Sequence, residues 1–163
     1  MLWNRLNLFI TIFETLSVQK IEFSLKLPAN AKELYDCVIN FDNHKKAFPS
    51  QLKNIEIVKN EGIEITTKET LVFNTHIGNA EINQTTIHKR EFPNIKSEII
   101  EGPFKNSKIN VIFEELGDGT RVSCKIELSV SLKYKILSSI IIKKYKIILT
   151  SLLYKMNSLA TEK

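Results

Sequence analysis

The sequence predicts an α+β domain: a seven-stranded curved antiparallel sheet, two short helices after the first strand, and a long C-terminal helix. Three observations predict it. Stretches of apolar–polar alternation recur from Val18 to Leu132, divided by short turn signals. After Tyr134 the apolar period changes from two to the three-and-four spacing of a helix. A shorter helical pattern falls between the first alternating stretch and all the others.

In chain order, residues 1–17 form an N-terminal amphipathic extension, with Leu2, Leu6, Phe9, Phe13 and Leu16 at helical spacing. Asn7 and Glu14 interrupt it and it is too short to span a bilayer. It lacks the small-residue cleavage site of a secretory signal. The domain runs from 18 to 163. Its first strand, VQKIEFSLKL, sets Ile21, Phe23, Leu25 and Leu27 against Lys20, Glu22, Ser24 and Lys26, and Pro28 ends it. Asn30 is placed to cap a helix carrying Leu34, Cys37, Val38 and Phe41. DNHKKAF reads as a second short helix, capped by Asp42 and stopped by Pro49.

Strands then follow at about 52–60, 63–77, 80–92, 95–101, 107–116 and 120–132. The turns between them are short and rich in Gly, Asn and Pro, which implies antiparallel hairpins. Gly102, ahead of Pro103 and Phe104 at a strand end, reads as a backbone bend that a side chain would obstruct. The last strand alternates most cleanly: Val122, Cys124, Ile126, Leu128, Val130 and Leu132 on the covered side, Arg121 to Ser131 on the wet one. From Tyr134 to about Ala160 the stripe Tyr134, Leu137, Ile141, Tyr145, Ile148, Leu152, Met156 and Leu159 makes a natural cover for the sheet.

Composition narrows the function classes. At 43% hydrophobic and 25% charged the 163-residue chain is globular rather than disordered. Cys37 and Cys124 lie far apart on different elements, so neither a disulfide framework nor a Cys/His zinc site is expected. A reducing cytoplasmic setting fits that usage, and peripheral membrane contact is expected from the last helix alone. Residues 133–163 carry seven lysines against Glu162 alone, so the basic character belongs to the last helix. Arginine occurs only at Arg5, Arg90 and Arg121, which argues against specific nucleic-acid reading. No serine sits in a GxSxG elbow. His44, His76 and His88 occupy three elements with no acidic or cysteine partner at ligand spacing, and are expected at the surface.

The element order is that of the helix-grip fold, and the residues agree. LPANAKELYDCVINFDNHKKAFP resembles the opening of START-like and polyketide-cyclase-like proteins. There a strand ending in Pro leads to a short helix, an aromatic–Asp corner and a second short helix. EGPFKNSKINVIFEELGDGTRVSCKIELSVS is similar to the matching segment of the coenzyme Q-binding START-like branch, although INVIF stands where that branch has Trp or Arg. The likeness spans about Val18 to Ala160. It implies an elongated apolar cavity between sheet and helix, roomy enough for a ligand of about 300 Å³.

By alternation and position, the wall of such a cavity draws on Phe23, Phe41 and Phe48 early in the chain. The middle strands supply Glu69, Leu71, Phe73, Ile82, Gln84 and Ile99. Phe104, Val111, Phe113, Ile126 and Leu128 follow, and Ile141, Tyr145, Ile148 and Leu152 come from the helix. Glu69 is in phase with Leu71 and Phe73, so it is either a buried polar anchor or turned to solvent by a bulge. Gln84, Thr86, His88 and Arg90 share a face with Ile82 and would orient a ligand head if that face points inward.

The implied function is binding, transport or chaperoning of a lipophilic small molecule, an isoprenoid quinone or other lipid, with no cofactor and no catalytic set. The alternative is a cyclase or dehydratase acting on a hydrophobic or aromatic substrate. A uniformly apolar tunnel favours the first, and convergent titratable groups favour the second. A third reading is an interaction module that uses the basic helix. Ile136, Ile142, Ile147 and Leu153 fall off the covered stripe among Lys135, Lys143 and Lys146, so that outer face is expected to meet an anionic membrane or the folded-back segment Leu2 to Leu16, with Ile142 and Leu153 equally placed to tuck against the sheet edges, the protein being a monomer or weak dimer.

Overall fold

The computed structural model describes residues 18–47, 50–76 and 78–162. Seven strands form one antiparallel sheet: β1 (Val18–Leu27), β2 (Leu52–Glu61), β3 (Glu64–Thr75), β4 (Gly78–Glu91), β5 (Asn94–Glu101), β6 (Lys108–Leu116) and β7 (Gly119–Ser129). Helices α1 (Ala31–Ile39) and α2 (Phe41–Lys46) follow β1, and α3 (Ser138–Thr161) closes the chain. Two helices intervene before β2, so β1 pairs instead with β7, from Val18 opposite Ser129 to Leu27 opposite Thr120. The spatial order is β1-β7-β6-β5-β4-β3-β2. Register shifts at Leu52/Asn54, Ile57/Lys59 and Thr85/Thr86 interrupt the ladders on the β2–β5 side, where bulges bend a sheet.

Local chemistry accounts for the joins. The Asn30 side chain accepts from the amides of Lys32 and Glu33, as the sequence predicts. The cap of α2 is Asn40, whose Oδ1 accepts from the Asp42 amide at 3.1 Å; Asp42 is already inside the helix. Asn40 is the extended residue between the two helices, and a cap needs that conformation. The Pro28–Asn30 corner is tied to three other elements. Ala29 N–H donates to Asn157 Oδ1, Thr120 Oγ1 donates to Ala29 O, and Ala31 N–H donates to Glu115 Oε2.

Two expectations at the C-terminal end are corrected. The last strand stops at Ser129 and a 3₁₀ turn, Leu132–Leu137, precedes α3, so Leu132 is 52% exposed instead of continuing the covered row. On α3, Ile141, Tyr145 and Ile148 enter the main core as predicted, and Leu153, only 4% exposed, is buried as well, in a second cluster with Leu34, Tyr35 and Cys37. Ile142 also packs against the main core, while Leu152 and Leu159 are only half-buried. The cause is α1. It lies against the second half of α3, so the covered face there is wider than a stripe facing a sheet alone. Ile136 and Ile147 remain at 95% and 45% exposure. No helix among the described residues is long and apolar enough to cross a membrane.

Candidate functional site

A cavity of about 120 Å³ lies between the sheet and the helices. Its floor is built by Leu52, Ile55, Glu69, Leu71, Gln84, Thr86, His88, Arg90, Ile95, Ser97, Ile109 and Val111 of β2 to β6. Tyr145, Ile148, Leu149 and Leu152 of α3 roof it, and Val38, Ile39, Phe41 and His44 close one side. It is smaller than the roughly 300 Å³ expected of a ligand pocket. The reason is that much of the predicted wall is solid core. Phe73, Ile82, Ile99, Phe104, Ile126, Leu128 and Ile141 pack together, with Phe104 edge-on to both Phe73 and Tyr145. Phe113 packs edge-on to Tyr35 in the second cluster. Phe23 is half-buried on β1 beneath the Lys146 ammonium, 5.4 Å from its ring centre. Phe48 lies outside the described residues. The cavity therefore brings together Phe41, Glu69, Leu71, Gln84, Val111, Tyr145, Ile148 and Leu152 of the predicted set.

Glu69 settles inward, its side chain 11% exposed. A carboxylate is costly there unless its lone pairs are filled, and they are. One oxygen accepts from Thr67 Oγ1 at 2.8 Å and lies 3.3 Å from His88 Nε2; the other accepts from Gln84 Nε2 and from Thr86 Oγ1. Thr67 spends its single proton on Glu69, so His88 Nε2, 2.8 Å from Thr67 Oγ1, must be the donor in that contact. His88 Nδ1 lies 2.8 Å from Ser97 Oγ, accepting from it in the neutral ring and donating to it in the charged one. Burial pushes the Glu69 carboxyl up, but the hydrogen bond and charge of His88, with Thr67 and Gln84, outweigh it and leave it below the usual carboxylate range.

His44 and His88 are not surface residues. His44 Nε2–H donates to Val38 O at 2.7 Å, and the Phe41 ring lies 4.8 Å from the His44 ring and 5.1 Å from that of His88. Burial lowers the His44 pKa to about 4, partly opposed by the Val38 hydrogen bond. Burial, and then the Glu69 charge, raise the Tyr145 phenol, whose oxygen accepts from Gln84 Nε2 at 3.4 Å. Sequence pattern set Thr67 on the inward face without a role, gave Ser97 none and put His44 at the surface, though two signals pointed to the last two. Ser97 is in phase with Ile95 and Ile99, and His44 stands one turn from Phe41. No group of three or more His, Cys, Asp or Glu among the described residues is placed to hold a metal ion.

By sequence, the chain matches no protein-family model and no curated protein. By structure it is similar to the protein TTHA0849 of Thermus thermophilus, with a TM-score of 0.75 and 16% identity over 88% of this chain and 98% of that one. It is also similar to the Zhui aromatase/cyclase from Streptomyces sp. R1128, with a TM-score of 0.76 and 9% identity over 89% and 94%. A START superfamily protein from Mycobacterium smegmatis gives 0.66 and 13% over 88% and 99%. The chain has the helix-grip fold. Within a helix-grip fold the covering helix faces the concave sheet, and here the Glu69 network occupies part of that interface. At these identities the likeness is one of architecture.

Proposed function

We propose that the protein binds a compact hydrophobic molecule in the cavity between sheet and α3, its polar end facing the Glu69 network. The observation that carries this is a buried carboxylate, hydrogen-bonded by Thr67, Gln84 and Thr86 and facing His88, at one end of a cavity whose remaining wall includes Leu52, Ile55, Leu71, Ile109, Val111, Ile148 and Leu152. Such a group carries a desolvation cost that an all-apolar core avoids, and a few convergent polar groups in a largely apolar cavity are the usual make-up of a ligand site. The 120 Å³ volume suits a single small ring, and an isoprenoid quinone would place only its head there. The test is native mass spectrometry of the purified protein, with organic extraction and analysis of what is released. A bound hydrophobic molecule, lost in Ile148→Trp, is expected; no retained molecule, and no thermal stabilisation by any of a panel of small hydrophobic compounds, would overturn the reading.

A second reading, an acid–base enzyme on a hydrophobic or aromatic substrate, has one observation in its favour. Glu69, His44, His88 and Tyr145 converge on the cavity, as convergent titratable groups should in a catalytic site. One structural neighbour, an aromatase/cyclase, points the same way. Loading and unloading at an anionic bilayer, through Lys143, Lys146 and Ile147 on the outer side of α3, is the partner we propose for either activity.

A further inference from the structure

Taking the cavity as a ligand site, the hydrogen-bonding groups of its wall specify the ligand's polarity. The His44 Nε2 faces the Val38 carbonyl, which can only accept, so that nitrogen carries the proton of the neutral ring. The other nitrogen, Nδ1, is then a bare acceptor. It is buried and has no hydrogen-bond partner among the described residues. Gln84 presents a second acceptor. Its amide nitrogen faces a Glu69 oxygen, which fixes which way the amide is turned, and its Oε1 is buried without a partner among the described residues. Both residues line the cavity. Glu69 takes hydrogen bonds from Thr67, Gln84 and Thr86 and lies 3.3 Å from His88 Nε2. Arg90 Nε is the buried donor in the wall without a partner among the described residues, while Arg90 Nη2 donates to Asn60 Oδ1 and Gly62 O.

We propose that the cavity selects a compact, uncharged ligand that donates a hydrogen bond to His44 Nδ1, a single-ring phenol being its simplest form, with Gln84 Oε1 open to a second hydroxyl. Burial of these acceptors without a donor is costly, so a ligand supplying one is favoured over an aprotic molecule of the same shape. A carboxylate in place of the hydroxyl would set a second negative charge near Glu69 and offer two acceptors to two acceptors. Burial holds His44 neutral at neutral pH, so the standing cation of the wall is Arg90, whose Nη2 is already held by Asn60 Oδ1 and Gly62 O.

The experiment titrates the isotope-labelled full chain with p-cresol, p-xylene and 4-methylbenzoate, followed by NMR. p-Xylene is the more hydrophobic of the first two, and a cavity without acceptors would prefer it. The expected result is p-cresol at least roughly tenfold tighter than p-xylene, the worth of one buried hydrogen bond. 4-Methylbenzoate should be the weakest. His44→Phe should bring p-cresol down toward p-xylene while p-xylene binding persists. p-Xylene binding as tightly as p-cresol, or 4-methylbenzoate binding more tightly, would overturn the proposal and leave the cavity a ligand site. Failure of all three to bind would remove the ligand-site reading itself and this inference with it. If His44→Phe does not fold, the ranking on the wild type decides alone.

Discussion

Two buried groups make stability depend on pH in a direction that the geometry dictates. His44 binds its proton far less readily folded, at about 4 against 6.5 for a free ring. The unfolded chain therefore takes up the proton first as pH falls, and stability drops between about pH 6.5 and 4 by roughly 3 kcal/mol. Glu69 is depressed below 4.5, so its contribution is present above that pH and lost as pH falls through the lower folded value. Denaturant melts from pH 8 to 3 should show both. His44→Leu should flatten the slope above pH 4.5, and Glu69→Gln the slope below it; an unchanged profile in either variant would contradict its assignment. Gly102 is a third single-residue case. It sits at φ +106°, and a Cβ there would come within 2.6 Å of Asn83 O. Gly102→Ala is expected to cost about 2 kcal/mol, against no more than about 0.5 for the exposed Lys105→Ala. The sequence marked the bend; its cause is the close approach of the β5 end to β4.

At the scale of elements, α3 separates what period alone predicts from what its neighbours impose. Ile141, Tyr145, Ile148 and Met156 follow the apolar stripe and are buried. Leu153 does not follow it, yet Leu153→Ala is expected to cost about 3 kcal/mol because α1 covers it, and Ile136→Ala next to nothing. Thermal melts check both. Of the predicted patch, Ile136 and Ile147 remain exposed, with Lys143 exposed between them in the chain and Tyr154 exposed further along α3. Co-sedimentation with vesicles at low salt should require anionic lipid and be lost in Lys143→Glu combined with Lys146→Glu. Binding that survives the double charge reversal would refute the electrostatic part, and absence of binding altogether would refute membrane contact. The extension over residues 1–17 lies outside the described residues.

For the whole molecule, a ligand seated between sheet and α3 bridges the two layers and stabilises only the folded form. At about a hundred times its Kd such a ligand adds roughly 2.7 kcal/mol, or about 5–10 °C in Tm for a chain of this length. Protein stripped on a hydrophobic resin should melt lower by that order than protein reloaded with its extracted molecule, and equal melting points would count against the cavity as a binding site. The order of the elements, the hairpins, the alternation of β7 and the Asn30 cap were determined by the sequence itself. These are set by near neighbours and by periods of two and 3.6 residues, which a linear pattern carries in full. Which of two inward-facing apolar residues fills the core and which lines a cavity was decided only by the tertiary structure. Phe104 and Leu71 look alike in the pattern, but Phe104 meets Phe73 and Tyr145 across the core while Leu71 borders open space. Glu69 and His88 are paired for the same reason. Glu69 stands opposite Gln84 and Thr67 opposite Thr86 in the β3–β4 ladder, and only that register brings an acid and a histidine nineteen positions apart into one buried network.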